Sequence, residues 1–243
     1  MILYSRQNIL YYISNKSKTS LLDIPAIRNT LLRGLRVKLK GKSTYGNKEW
    51  KKADFEWYSM IHDANRDIHE NFTQYLKSKT DIKTVLEIGC GTGIYPIKNK
   101  ELFNGLSYTG LDISQENIDY CRKHSDFNYI CGDFLKLEIS DRYDLIFSHA
   151  VIDHVYDIDA FLSKICVICK KYAYINAYRG YFPNLKKHKM NWRDEDGCYY
   201  NDISILQAKE TLLKNNLKDD EIIIRPQKNG FGVSQTIIEI NKK

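Results

Sequence analysis

Residues 84–93 read Thr84-Val85-Leu86-Glu87-Ile88-Gly89-Cys90-Gly91-Thr92-Gly93, and nineteen positions past Gly93 stands Asp112, in Tyr108-Thr109-Gly110-Leu111-Asp112. The apolar run at 84–86 predicts a short buried strand. Three glycines at alternate positions then let the chain turn tightly and let a ligand approach the backbone. A second apolar segment, 107–111, ends in the Asp112 carboxylate, which is placed to accept hydrogen bonds from a ribose diol. The pairing points to an adenosine-containing cofactor.

The glycine spacing decides which one. A dinucleotide site needs G-x-G-x-x-G, whose third glycine packs helix on strand. Here that third position is Ile94, and an acid, Glu87, precedes the loop. A carboxylate aimed at the loop repels a pyrophosphate and suits a cation. Three further motifs follow in order. Asp112 is followed by Ile113, Gly132-Asp133-Phe134 follows Tyr129-Ile130-Cys131, and Tyr143-Asp144-Leu145-Ile146-Phe147-Ser148-His149 makes another apolar strand. The series, over residues 82–180, resembles the class I S-adenosylmethionine-dependent methyltransferase superfamily, whose cofactor carries a sulfonium and an ammonium.

That resemblance implies an α/β, Rossmann-like methyltransferase fold. It has a seven-stranded, mostly parallel sheet with an antiparallel last strand, helices on both faces and an N-terminal helical extension. It implies S-adenosyl-L-methionine as cofactor and S-adenosyl-L-homocysteine as product. The residues it implies for cofactor binding are Tyr58, Arg66, Glu87, Gly89, Cys90, Gly91, Gly93, Asp112, Ile113, Asp133, Phe134 and Ser148. In the resemblance Asp112 meets the ribose, Asp133 the adenine amino group, and the end of the strand at 143–148 faces the transferred methyl.

Periodicity supports the same organisation. Asp23-Ile24-Pro25 reads as a helix start, with Ile27, Leu31, Leu32 and Leu35 on one face. A longer helix is predicted from Lys51 to Lys77, with Trp57, Tyr58, His62 and Arg66 available to cover the cofactor. Strands are predicted near 84–88, 107–111, 128–131, 143–148, 172–177, 220–225 and 234–240, and helices near 94–103, 115–124, 158–170 and 202–216. Pro226 to Gly232 reads as the last turn. The division expected is a basic extension at 1–50 and a methyltransferase domain at 51–243. Within it, residues 179–201 form an aperiodic insert, rich in aromatic and basic side chains, that faces the substrate.

Composition narrows the class. The chain has 243 residues, room for one domain with an appendage. No apolar run reaches the ~18 residues of a membrane span, and the N-terminus lacks a long apolar leader segment. Six scattered cysteines suit reduced thiols and a cytoplasmic location. Cys166-x-x-Cys169 lies in an apolar stretch with no second ligand pair, so burial is expected and no metal. The net charge of +7 is uneven: residues 1–52 hold twelve Lys or Arg against two acids, and the rest holds 25 against 28. Such an arm is a solvated extension or attracts anions, nucleic acid included.

Methyl transfer to an oxygen benefits from a base. His149, at the end of the fourth strand, is the first candidate, followed by His154 and by His188 in the insert; His62, His69 and His124 lie outside the strand ends. Asp153, Asp157 and Asp159 read as solvated helix caps. No Asn-Pro-Pro-Tyr or Asp-Pro-Pro-Tyr sequence follows the fourth strand, which speaks against adenine N-methylation. The expected activity is O-methylation of a small polar acceptor, carbohydrate or anionic: a sugar, a sugar nucleotide or a polysaccharide precursor. The alternatives are an RNA methyltransferase recruited by the basic arm, and a non-catalytic cofactor-binding partner subunit.

Overall fold

The computed structural model describes residues 54–194 and 196–243. The basic extension at 1–50, the helix expected after Asp23 and the domain start at 51 lie outside the described residues.

Two helices come first, α1 (Phe55–Ala64) and α2 (Arg66–Lys77). The single helix expected over 51–77 is broken at Asn65, whose backbone leaves helical geometry (φ −110°, ψ 29°). Its side-chain Nδ2 donates to the Ile61 carbonyl at 3.0 Å, so the side chain competes with the backbone for a helical acceptor. Alternation then begins: β1 (Thr84–Ile88), α3 (Ile94–Lys98), β2 (Ser107–Asp112), α4 (Gln115–His124), β3 (Asn128–Cys131), β4 (Tyr143–His149), α5 (Ile158–Ile168), β5 (Cys169–Ala177). A short ribbon of β6 (Trp192–Arg193) and β7 (Cys198–Tyr199) leads to α6 (Ile205–Lys214), β8 (Ile222–Lys228) and β9 (Ser234–Asn241). Side chains cap the helices: Ser114 starts α4, Asp157 α5 and Ser204 α6, each accepting from a backbone N–H in the first turn.

The sheet runs β3-β2-β1-β4-β5-β9-β8. β3, β2, β1, β4 and β5 pair in parallel, and β9 pairs antiparallel with both β5 and β8. This is the seven-stranded, mostly parallel Rossmann-like sheet expected, with an antiparallel last strand. Strand order reverses between β1 and β4, and open α/β sheets bind ligands at such a point, beyond the carboxyl ends of the strands. The glycine loop leaves β1 there, and His149 ends β4.

The sheet is covered on both faces. Phe72 and Leu76 of α2, Tyr95 of α3, and Ile118 and Cys121 of α4 pack with Val85, Leu145 and Phe147 in one core. Phe161, Leu162 and Ile165 of α5 and Ala208 and Leu212 of α6 pack with Leu86, Ile146 and Ile175 in the other. Strand alternation therefore sends neighbouring residues of β4 to opposite layers.

Three boundaries differ from the sequence reading. α5 stops at Ile168 and β5 starts at once at Cys169, paired with Tyr143. The helix expected over 94–103 divides at Asn99 into α3 and a 3-10 turn, Lys100–Phe103. β8 continues through Pro226 to Lys228, which an edge strand tolerates because proline's missing N–H has no ladder partner to lose. Cys166 and Cys169 are buried and free, as expected of a packing pair.

Candidate functional site

The glycine loop is held from three sides. Gly89, Gly91 and Gly93 all have positive φ (76°, 54° and 68°), which L side chains rarely adopt. Asp112 braces the loop: its Oδ2 accepts from Gly91 N at 2.8 Å, its Oδ1 from Ser114 N at 2.8 Å and from Asn117 Nδ2 at 3.4 Å. Burial raises the Asp112 pKa, and the Ser114 and Gly91 amides oppose that rise. Tyr58 of α1 lies over the loop. A Cβ on Gly91 would sit 2.7 Å from its ring, and Asn117 Nδ2 donates to its hydroxyl at 3.2 Å. Glu87 is buried and accepts from the Tyr108 hydroxyl. Burial pushes its carboxyl up to about 8, with Asp112 adding to the rise and Tyr108 opposing it. Cys90 is buried beneath the loop, with its thiol against the Gly91 carbonyl at 3.7 Å.

The remaining expected cofactor residues scatter in role. Ile113 is exposed just beyond Asp112, an apolar face suited to a base. The Asp133 carboxylate accepts from Leu135 N at 2.9 Å and from the Tyr156 hydroxyl at 3.0 Å. Phe134 is buried in the core against Phe161, so it shapes the site from below. Ser148 is buried, and its hydroxyl has no hydrogen-bond partner among the described residues. Arg66 is exposed at the start of α2.

His149 stands where the sequence placed it, at the carboxyl end of β4. Both ring nitrogens are covered and have no hydrogen-bond partner among the described residues. Phe72 (5.1 Å), Tyr95 (5.6 Å) and Phe147 (5.6 Å) surround the ring, with burial holding its pKa down to about 3. His69 meets His149 edge-on at 4.8 Å and stacks on His62 at 4.0 Å. Burial is the first cause of the lowered pKa at these two rings as well. The sequence reading had set His62 and His69 apart from the strand ends; α2 carries His69 to His149, and His62 of α1 stacks on His69. The next residue, Ala150, is held at φ +59°, a conformation that costs energy for a residue with a Cβ and that clusters at functional sites.

The other two candidate histidines are committed to structure. His154 spans two contacts, Nδ1 to the Tyr199 carbonyl at 2.7 Å and Nε2 to the Tyr178 hydroxyl at 3.2 Å. Burial lowers its pKa to about 4. His188 Nδ1 accepts from Ser204 N at 3.0 Å, and its Nε2 lies 3.5 Å from Asp159. It pins the insert to the start of α6. Asp153 corrects the reading of a solvated cap: it is buried, and its two oxygens accept from Tyr178 N (3.1 Å) and Arg179 N (3.0 Å). Burial raises its pKa to about 7, against those two amides. Asp157 is the cap expected, accepting from Ala160 N at 2.9 Å.

The chain is similar to known proteins in sequence and fold. A family model described as "Methyltransferase domain" matches residues 86–175. Those residues form a class I S-adenosylmethionine-dependent methyltransferase domain. Over 105 residues the chain is 30% identical to the malonyl-[acyl-carrier protein] O-methyltransferase 2 of Ilyobacter polytropus, covering 42% of this chain and 39% of that protein. Over 91 residues it is 31% identical to the ubiquinone biosynthesis O-methyltransferase of Bradyrhizobium diazoefficiens, covering 35% of each. The chain thus spans well under half the length of these curated relatives. The crystal structure of Burkholderia thailandensis 1,6-didemethyltoxoflavin-N1-methyltransferase with bound 1,6-didemethyltoxoflavin and S-adenosylhomocysteine superposes with a TM-score of 0.56. It shares 13% identity and 93% coverage of both chains, a likeness of fold.

Within the methyltransferase domain, residues that sequence reasoning missed hold the site together. Asn117 joins Tyr58 to Asp112, Ser114 braces Asp112, and Tyr156 holds Asp133. Val151 fills the space beside Gly89, within 2.2 Å of where its Cβ would stand. Ser114 and Asn117 had a local signal, being the cap and first turn of the helix after the acid. Tyr156 and Val151 had none.

Proposed function

We propose that the chain is an S-adenosylmethionine-dependent methyltransferase that methylates an oxygen of a small polar acceptor, a sugar or sugar derivative being the preferred class, with His149 taking the acceptor's proton. The residues present suit the cofactor. Three left-handed glycines make a tight loop, Asp112 keeps acceptor capacity for a ribose diol, Ile113 offers an apolar face, and Glu87 would suit a cationic group once a nearby cation favours its charged form. The cofactor supplies a methyl group on a positively charged sulfur. The chain's own residues position the acceptor and handle its proton.

The observation that carries the reading is His149: a neutral imidazole at the switch point of the sheet, with no hydrogen bond made by either nitrogen among the described residues. A buried polar atom without a partner costs about 1–3 kcal/mol, which a bound hydroxyl would relieve. A ring held near 3 is a weak base toward an ordinary alcohol. It suffices once the oxygen has begun to bond carbon, because the hydroxyl proton then becomes strongly acidic. The cap of α1 and α2 controls access, since His69 and Phe72 cover the ring.

The test is transfer of an isotopically labelled methyl from the cofactor to a metabolite pool, followed by mass spectrometry. Label is expected in a small hydroxylated metabolite. His149→Ala is expected to lower turnover about a hundredfold at nearly unchanged cofactor affinity, whereas His154→Ala lowers thermal stability. Label entering bulk RNA would transfer the case to the basic arm. No label in any pool would favour a cofactor-binding partner subunit.

A further inference from the structure

We infer that Arg179 and Arg193 form an oxyanion subsite that holds a carboxylate or phosphate of the acceptor. The inference specifies the acceptor for the methyl-transfer reading and rests on that reading for its role.

Both guanidiniums converge on one ring: Arg193 lies 4.0 Å from the Tyr200 centroid and Arg179 5.6 Å. Arg179 follows β5 by two residues, at the same carboxyl edge of the sheet where His149 pairs with Asn176. Its backbone is fixed there by the buried Asp153 carboxylate. Arg193 reaches the same place from the β6–β7 ribbon. The T-shaped contact of His154 with Tyr200 at 5.1 Å completes the cluster, and both guanidiniums help to hold His154 unprotonated.

Each guanidinium has a carboxylate partner among the described residues. Arg179 Nη2 meets Asp202 at 3.2 Å, and Arg193 Nη1 meets Asp196 at a longer 3.8 Å. The Arg179 Nε–H is buried and has no hydrogen-bond partner among the described residues. A guanidinium presents five donors in a rigid fork that matches a carboxylate or phosphate bidentately. An oxyanion reached by both forks would satisfy the Arg179 Nε–H as well. Stacking on Tyr200 holds the two planes without consuming their N–H groups. A purely structural staple would not leave the Arg179 Nε–H buried and unused.

The experiment uses the full chain with arginine Nε–H resonances followed by NMR, titrated with sodium phosphate, sodium malonate, and sodium chloride at matched ionic strength. Saturable displacement of the Arg179 Nε–H signal by phosphate, malonate or both is expected, with none from chloride. The tighter of the two tells a phosphorylated acceptor from a carboxylic acid. Arg179→Gln and Arg193→Gln are each expected to weaken that binding about tenfold or more, the loss typical of a charge-assisted hydrogen bond, and Arg193→Lys to recover part of it. An unmoved wild-type signal overturns the subsite even if the variants fold poorly, as does anion affinity that survives in the double glutamine variant. S-adenosylhomocysteine is titrated into the same samples. Failure of that binding would remove the methyl-transfer reading and leave the anion result standing, so the two failures are distinguishable.

Discussion

Asp112 orders the glycine loop through Gly91 N, and in the proposed reading its remaining lone pairs take the ribose diol. Gly91 is the complementary requirement, since its missing side chain lets Tyr58 lie on the loop. Gly91→Ala combines a Cβ 2.7 Å from that ring with a φ of +54°, whereas Gly105→Ala has φ +77° and nothing within 4 Å. The first is expected to weaken S-adenosylhomocysteine binding about tenfold or more, and the second to cost only the ~1 kcal/mol of the left-handed backbone. Calorimetric affinities and melting temperatures of the pair check this.

Glu87 gives a proton linkage. Its carboxyl, pushed up to about 8 by burial, is mostly protonated at pH 7. A cation placed beside it favours the charged form and lowers that value. Cofactor binding at pH 7 should therefore release a proton, and affinity should rise with pH up to about 8. Calorimetry in buffers of different ionisation heat measures the proton count, and Glu87→Gln should reduce it to zero. His149 gives a pH profile with the opposite emphasis. A base whose pKa burial has lowered to about 3 stays unprotonated through the usual histidine range. The acid limb of kcat/KM should be missing between pH 7 and 5. A limb near 6.5 would mean that an exposed imidazole, or none of the buried ones, is the base.

At the scale of elements, the insert is anchored by amide and carboxylate contacts. Asn201 is buried, and its Nδ2 donates to the carbonyls of Ile152 (3.1 Å) and Val155 (2.7 Å), while its backbone N–H donates to the Asp153 carbonyl. These bonds tie the segment before α6 to the turn after β4, and so tie Arg179 and the ribbon to His149. Asn201→Ala leaves two buried carbonyls without these donors and is expected to lower stability by about 1–3 kcal/mol. Acceptor KM should rise with cofactor affinity unchanged; chemical denaturation and separate cofactor titration measure the two effects. The cap is organised by a different logic. The break at Asn65 lets α1 lie on the glycine loop through Tyr58 while α2 packs Phe72 against Phe147. Gln235 Nε2 donates to Asn65 Oδ1 at 3.4 Å and Asn176 Nδ2 to Gln235 Oε1 at 2.7 Å, a chain of amides from the break to the residue beside His149.

Across the whole molecule, buried titratable groups set the pH response of the fold. His62, His69, His149, His154 and His188 all have pKa values lowered from 6.5, chiefly by burial. Each contributes stability that is present above pH 6.5 and lost as pH falls, through about 4 for His154 and about 3 for His149, because the unfolded chain takes up protons that the native one refuses. Glu87, Asp112 and Asp153 have raised values and act in reverse. Their stability is present at acid pH and lost as pH rises, through about 8 for Glu87 and about 7 for Asp153. Five imidazoles outnumber three carboxyls, so the melting temperature should fall on acidification below about 6.5 and decline again toward pH 8. Calorimetric scans across that range check it; a melting temperature constant from pH 6.5 to 4 would contradict the burial of the histidines.

By itself the sequence determined the layered α/β sheet, the glycine loop, Asp112 and the place of His149. These follow from local rules: strand alternation, a loop that needs left-handed backbone, and a carboxylate one strand further on. Tertiary structure decided which histidine keeps its nitrogens uncommitted, since the partners of His154 and His188 lie 24 and 45, and 16, positions away along the chain. It also decided that Asp153 is buried, that Tyr156 holds Asp133, and that His62 and His69 reach His149. The physical reason is the same in each case. A side chain's partners and solvation depend on which elements pack together, and a periodic pattern records only the face an element buries, not what lies across from it.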